Sequence, residues 1–441
     1  MATGTSLSTV FPLGSRLDER GVLLVGGCDA LELAREFGTP AYVVAEDDLL
    51  ARARAFVAGA RQRHPDMHVV FASKAFPCTA VLSLFAQEGL WCDVATGGEL
   101  FLALNAGFAP ERIVMHGNAK SQAELRMALR HRVGLIVIDN FTEIERLGEL
   151  IADGALADRG SEGGQPVLLR VTPDVRGETH EKISTGQADS KFGFSVEEAV
   201  QAAARVRAQS GLSLVGLHAH IGSQLLDLEP FRRAASALAG LAAESELGVL
   251  DIGGGLGVRY LEDQPEAPSI EDYLDAVVAA AGAHRGRLLI EPGRALTANA
   301  GVTLYTVESI RENVSRWVAV DGGMSDNLRP MLYDARYEAH VVGRFGGDTD
   351  CVLAGKHCES GDVIVREARL ADPQPGDVVV TPATGAYGFA MANNYTGVPR
   401  PPVVFCRDGN ARVVVRRESF EDLTARDEPR SREIAIGGGA G

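Results

Sequence analysis

No stretch of the 441-residue chain approaches the ~18 consecutive apolar residues that a membrane-spanning helix needs. Positive charge is in the minority: 43 Lys and Arg stand against 59 Asp and Glu, a formal net charge of −16. That balance argues against nucleic acid or an anionic membrane surface as a partner. It leaves anionic small molecules open, because these respond to local charge. Cysteine is sparse. Cys28, Cys78, Cys92, Cys351, Cys358 and Cys406 contain no C-x-x-C pair, so neither a metal site nor a disulfide framework is expected, and a reducing cytoplasm fits. Met1 to Leu13 carries no charge, hence no basic n-region, and no long apolar core, so secretion is not expected. What remains is an ordinary globular composition, 46% hydrophobic and 23% charged, with length for two to three domains.

Apolar runs alternate with helix-periodic segments from about residue 45 to 300. Candidate strands are Val69–Ala72, Leu90–Val94, Arg112–His116, Gly134–Asp139, Val167–Thr172, Leu214–His220, Val249–Ile252 and Leu288–Glu291. Cys78–Gln87, Gln122–Arg130, Val196–Gln209, Phe231–Ser245 and Ile270–Ala283 carry amphipathic helical spacing between them. Eight strands alternating with helices over ~250 residues predict an α/β fold, a (β/α)8 TIM-like barrel, with a doubly wound sheet as the competing arrangement. After Val302 the pattern changes to β-rich pieces separated by turn residues: Trp317–Val320, Tyr337–Val342, Asp362–Val365, Gly376–Val380 and the hairpin around Asp408-Gly409-Asn410. The expected organisation is a barrel over 46–300 and an all-β domain over 301–441. The segment 1–45, with strands at Gly21–Val25 and Ala41–Val44, packs with that β domain.

In such a barrel the active site is built from the loops at the strand C-termini. Lys74 follows the first strand, Asp93 closes the second, Asn118 follows the third and His220 ends the sixth. The seventh leads into Asp251-Ile252-Gly253-Gly254-Gly255-Leu256-Gly257, a bare backbone loop able to present N–H groups to a phosphate. It lacks the Lys-Ser/Thr of a triphosphate loop and the full G-x-G-x-x-G spacing, and alone it reads equally as a tight turn. Glu291-Pro292-Gly293-Arg294 follows the eighth strand. Singly these residues have plain readings: a solvated lysine cap, a structural histidine, a Glu291–Arg294 pair. Together at one barrel mouth they suit a phosphorylated ligand that needs an amine, a stacking partner and a carboxylate. Pyridoxal 5'-phosphate asks for that set. Lys74 would form the Schiff base, Glu291 would hold the pyridine nitrogen protonated and His220 would lie against the ring. Gly253–Gly255 with Arg294 would bind the phosphate. A lysine nucleophile works best with its pKa lowered by its surroundings.

The same residues carry a resemblance. Ser73-Lys74-Ala75, Trp91-Cys92-Asp93-Val94-Ala95, Ser184-Thr185-Gly186 with Lys191-Phe192-Gly193-Phe194, and His220-Ile221-Gly222-Ser223-Gln224 belong to it. So do the glycine run, Glu291-Pro292-Gly293-Arg294, Asp321-Gly322-Gly323-Met324, Arg329-Pro330 with Tyr333, Cys358-Glu359-Ser360-Gly361-Asp362 and Gly385-Ala386-Tyr387. Over about residues 20–415 the chain resembles the alanine-racemase-like, fold type III pyridoxal-phosphate decarboxylases, and among them the diaminopimelate decarboxylases. The resemblance implies decarboxylation of meso-2,6-diaminopimelate to L-lysine and carbon dioxide, the last step of lysine biosynthesis. It implies a homodimer with shared active sites, in which a second subunit delivers Cys358 as proton donor and Glu359 recognises the distal amino group. Arg294, Arg329 and Tyr333 match contacts to the distal carboxylate, and Tyr387 a residue near cofactor and substrate. Lys74, Cys358 and His220 are the catalytic candidates. Asp93, Ser223, Gly253, Gly254, Gly255, Glu291, Gly293, Arg294 and Tyr387 join Lys74 and His220 as cofactor contacts.

A distal end bearing both an ammonium and a carboxylate matches a pocket offering Glu359 and Arg329, whereas ornithine or lysine would leave the arginines without a partner. The connection Asp174–Ser195 reads either as a lid over the mouth or as a plain surface excursion. Met391-Ala392-Asn393-Asn394-Tyr395-Thr396-Gly397 departs from the pattern of relatives, which affects fine contacts near Tyr395. The alternatives are a related decarboxylase of another, modified or carrier-bound amino acid or polyamine precursor, a racemase on the same fold, and a silent regulatory homologue. Lys74 together with Cys358 argues against the last.

Overall fold

The computed structural model describes residues 5–156, 163–173 and 191–428. Eight parallel strands close into a barrel: Met67–Ala72, Trp91–Val94, Ile113–Met115, Leu135–Ile138, Gln165–Arg170, Leu212–His218, Val249–Asp251 and Arg287–Ile290. The eighth strand pairs back onto the first, Leu288 opposite Met67 and Ile290 opposite Val69. That closure removes the doubly wound alternative. Each strand read from an apolar run is present, because branched and aliphatic runs of this length between turn residues have little else to form.

Alternation along each strand decides which side chains face inward. Val70, Val114, Leu135, Val137, Leu168 and Leu289 form an apolar cluster of their own that fills the barrel interior. Their neighbours Val69, Phe71, Ile113, Met115, Ile136, Ile138, Leu169 and Leu288 belong to the larger core shared with the surrounding helices. These helices include Glu46–Arg63, Thr79–Gln87, Gln122–His131, Val196–Ala208, Glu229–Glu244 and Ile270–Ala281. Ser121 with Glu124 and Ser195 with Glu198 form capping boxes, so those helices start where the side chains satisfy the free N–H groups. Among the described residues no helix is long and apolar enough to cross a membrane.

Beyond residue 300 the chain builds a mixed sheet around the long strand Gly301–Glu312, which pairs with Ala41–Ala45, Arg316–Val320 and Val378–Thr381. Ala41–Ala45 is flanked on its other side by Val403–Arg407 in parallel, so an N-terminal strand sits between two strands from the end of the chain. Leu23–Val25 does not hydrogen-bond to this sheet. Gly26 and Gly27, both at positive φ, turn it back onto Cys28–Asp29 within a separate four-stranded sheet. That small sheet packs on the larger one through Leu23, Val25, Val43, Val302 and Val404. Thr349–Ala354, whose polar Thr349 and Asp350 hid it from an apolar-run reading, pairs with Val363–Leu370. The expected strand at Tyr337–Val342 shrinks to His340–Val341. Ser184-Thr185-Gly186, most of the 174–195 connection and the 438–441 tail lie outside the described residues.

A buried ion pair braces the barrel below its mouth. Lys120 Nζ lies 2.6 Å from Glu143 Oε1 and donates to the carbonyls of Gly117 at 2.5 Å and Val137 at 2.8 Å. Glu143 also accepts the Asp139 N–H at 3.0 Å, which ties the ends of the third and fourth strands together. Removing one partner strands a charge in the interior. Lys120→Met is therefore expected to lower the unfolding free energy by about 3–5 kcal/mol, read as a fall in the denaturant midpoint. An unchanged midpoint would show that the pair is dispensable.

Candidate active site

Continuing the inward alternation by two residues beyond the apolar layer reaches a polar side chain on nearly every strand. Trp91 leads to Asp93, Val114 to His116, Val137 to Asp139, Leu168 to Arg170, Gly216 to His218, Val249 to Asp251 and Leu289 to Glu291. All seven polar residues are buried. They form a charged layer on top of the apolar one, at the C-terminal end of the barrel.

Glu291 is the centre of that layer. His116 Nε2 lies 2.6 Å from its Oε1 and His218 Nε2 3.4 Å from its Oε2. One nitrogen or oxygen from each of His116, His218, Asp251 and Glu291 lies within 4.8 Å of the other three. Burial opposes the charge on Glu291, but the two histidines outweigh it and hold the carboxyl well below its usual range. Asp251 shows the reverse: burial and the neighbouring Glu291 push it well up. His116 is raised, its burial overcome by Glu291 and Asp93. His218, more completely buried, is pulled down to about 4. Burial lifts Asp93 to about 6, with His116 pulling the other way.

Above this floor opens a cavity of about 650 Å³. Lys74, Asp93, His220, Ser223, Gly255, Glu291, Gly293, Arg294, Arg329, Tyr333 and Tyr387 all line it. Lys74 sits in the short helical turn Ser73–Ala75 after the first strand, its side chain accessible within the cavity although the walls around it are buried. Burial pulls its amine down, yet Asp93, Tyr387 and Glu291 outweigh that and leave the pKa raised rather than lowered. His220 is held well below 6.5 by burial and by Lys74 and Arg170, so its ring is neutral. Its Nδ1 accepts the Gly254 N–H at 3.1 Å, which places the ring proton on Nε2.

Two amides of the glycine run are engaged within the protein itself. The N–H of Gly253 donates to Asp251 Oδ1 at 3.0 Å and that of Gly254 to His220, so these amides serve the loop and the floor. Gly255 is the member of the three that lines the cavity. A Cβ on Gly253, Gly254 or Gly255 would come within 2.4, 2.2 or 2.5 Å of the carbonyl oxygens of Ala219, Glu291 and Gly222. Close packing of the strand ends therefore requires glycine here. Arg294, at the start of the short helix Arg294–Thr297, donates to Ser223 Oγ at 2.8 Å and to Tyr260 Oη at 2.5 Å. Arg329 comes from the β domain and donates to the same Tyr260 oxygen at 3.0 Å. The Tyr387 amide donates to Ala75 O at 2.8 Å, fastening the β domain to the lysine turn.

Residues 50–298 match the model of the pyridoxal-dependent decarboxylase family, pyridoxal binding domain. The chain is 46% identical to a diaminopimelate decarboxylase of Actinosynnema pretiosum subsp. auranticum, with 95% of each chain covered. It is 43% identical to that of Bacillus subtilis, covering 94% of this chain and 97% of the relative. The crystal structure of the diaminopimelate decarboxylase of M. jannaschii in complex with L-lysine superposes with a TM-score of 0.87 at 32% identity, covering 94% and 98%. The chain belongs to the pyridoxal-dependent decarboxylase family.

As a family member the chain uses pyridoxal 5'-phosphate, and its residues fit that group. The floor offers an ionised carboxylate to a pyridinium nitrogen, a neutral histidine ring and an accessible lysine amine share one cavity, and Arg294 Nε is buried without a hydrogen-bond partner among the described residues. Besides Gly253 and Gly254, the candidates that stay outside the cavity are Cys358 and Glu359. Both are exposed, on the loop between Thr349–Ala354 and Val363–Leu370, and neither lines the cavity of its own chain. Asn118 also stays out of the cavity, its carbonyl accepting Asn140 Nδ2 at 3.2 Å. His116, Arg170, His218, Asp251 and Tyr260 had not been singled out. Counting two residues past each inward apolar position would have found the first four, while nothing local marks Tyr260.

The histidine shifts have a consequence for stability. Between pH 6.5 and about 4 the unfolded chain protonates His218 while the folded chain does not, so the fold loses stability as pH falls through that window. His220 acts with the same sign. His218→Gln is expected to flatten the slope of stability against pH, removing on the order of 3 kcal/mol of the loss across that window. Thermal midpoints measured at stepped pH check this, and parallel curves for the two proteins would refute it.

Proposed function

We propose that the chain decarboxylates meso-2,6-diaminopimelate to L-lysine and carbon dioxide. The observation that carries the substrate choice is the pair of buried guanidiniums, Arg294 and Arg329, on the same cavity as Lys74. A substrate bearing only amines would leave them without a ligand, whereas diaminopimelate brings a second carboxylate to them. The relatives named above carry this activity in their names, and the M. jannaschii enzyme binds L-lysine.

Bound pyridoxal phosphate supplies an electron sink for the electron pair left at Cα as the carboxylate departs. The protein's part is to hold, orient and supply protons. Lys74 would anchor the cofactor covalently. Glu291, kept ionised by His116 and His218, would favour a protonated pyridine nitrogen, and neutral His220 would lie along the ring. Ser223, Gly255, Gly293 and Arg294 would surround the phosphate. Arg294, Arg329 and Tyr333 would take the distal carboxylate, with Tyr387 between cofactor and substrate. Cys358 would deliver the proton to Cα, and Glu359 would recognise the distal ammonium. Both are exposed on a loop away from their own cavity, which supports a role in the site of a second copy, with a homodimer as the working unit.

The purified protein should absorb visible light, and Lys74→Ala should abolish that band. Carbon dioxide release is expected from meso-diaminopimelate and not from L-lysine, L-ornithine or L-arginine; activity confined to the last three would overturn the substrate reading. Cys358→Ala should keep the cofactor and lose most turnover. Refolding equal amounts of Lys74→Ala and Cys358→Ala chains together should restore roughly one quarter of wild-type turnover if sites are shared, because half the dimers then hold one intact site. No recovery would place both residues in the same chain's site.

A further inference from the structure

Tyr260 lies just past the glycine run, lines the cavity and is 5% exposed, and no step above makes use of it. Its Oη accepts hydrogen bonds from two guanidiniums at once, Arg294 Nη1 at 2.5 Å and Arg329 Nη1 at 3.0 Å. One arginine follows the last barrel strand; the other opens the helix Arg329–Tyr333 of the β domain. A single phenol oxygen therefore joins the two halves of the cavity. Arg329 donates further to Tyr337 Oη, and Tyr337 packs edge-on against Tyr260, ring centroids 5.3 Å apart at 86°. The Arg329 guanidinium carbon also sits 4.9 Å from the Tyr260 ring centroid.

The chemistry of the partners matters as much as their number. Arg294 and Arg329 are held by the hydroxyls of Ser223, Tyr260 and Tyr337, and among the described residues no carboxylate pairs with either. A carboxylate in that position would orient the arginines equally well, but it would cancel the charge that an anionic ligand needs. A phenol has two lone pairs and no net charge, so it can fix two cations and leave both positive. Two like charges brought together in a buried site raise the attraction for an anion placed between them.

We propose that Tyr260 is a positioning residue for substrate specificity, fixing Arg294 and Arg329 as one unneutralised pair for the substrate's distal carboxylate. The proposal rests on the reading of those arginines given under the proposed function. Without the shared oxygen the two guanidiniums repel and spread, and the affinity for the distal carboxylate falls. The chemistry at Lys74 and over Glu291 is untouched.

Tyr260→Phe keeps the ring and deletes the acceptor. In holoenzyme at saturating cofactor, KM for meso-diaminopimelate is expected to rise on the order of tenfold while kcat changes by less than about twofold. The inhibition constant of L-lysine, which retains a carboxylate, should rise by the same factor, and that of 1,5-diaminopentane, which has none, should stay constant. An unchanged KM, or equal losses for both inhibitors, would overturn the proposal. Arg329→Gln separates it from the reading beneath. If Arg329→Gln loses L-lysine selectively and Tyr260→Phe does not, the arginine reading stands and Tyr260 has no positioning role. If neither variant distinguishes L-lysine from the diamine, the arginine reading falls and takes the proposal with it.

Discussion

An ionised carboxylate at the centre of a barrel is the constraint on which the rest of this structure depends. Burying such a charge alone is prohibitive, so Glu291 exists only because His116, His218 and Asp251 surround it and share its protons. Those partners come from the third, sixth and seventh strands, and each must arrive in inward phase at the same height. The apolar layer immediately below secures that phase, since Val114, Val249 and Leu289 can face the interior in one register only. Packing and electrostatics are here one requirement: a slipped strand would expose its apolar residue and withdraw a partner from Glu291 together.

The second half of the site depends on how two domains meet. The barrel supplies the lysine, the histidine ring and the carboxylate floor, while Arg329, Tyr333 and Tyr387 reach in from the β domain. The contact is fastened by backbone at the lysine turn, through the Tyr387 amide, and by side chains at Tyr260. Ala41–Ala45 locks the arrangement, because a strand that precedes the barrel in the chain is paired on both sides within the sheet that follows it. The groups that line the cavity thus come from two units whose junction is fixed by backbone and side-chain hydrogen bonds.

Much of this was legible beforehand. Lys74, Asp93, His220 and Glu291 could be read because each ends or follows an apolar run, and in a barrel those positions converge whatever the loops do. The glycine run is legible as special, but the crowding around it is not: neighbouring carbonyls approach Gly253 and Gly254 closely, and their amides serve Asp251 and His220. Leu23–Val25 was legible as a strand but not its partner, since pairing follows from the turn at Gly26-Gly27 and from packing rather than from composition. The amine of Lys74 shows the same limit, its raised pKa being the sum of charges that lie on other strands.

The sequence by itself determined eight strands alternating with helices and a β-rich unit after them, because apolar runs and periodicity are local properties. It also determined which chemical groups stand at the strand ends. Only the tertiary structure decided which of these groups touch, and contact is what sets charge. Closure of the eighth strand on the first brings Glu291 against two histidines and pushes the Asp251 carboxyl up. Docking of the β domain sets two arginines on one tyrosine oxygen. The same docking leaves Cys358 and Glu359 facing outward. Those outcomes depend on distances between residues far apart in the chain, on which no local pattern carries information.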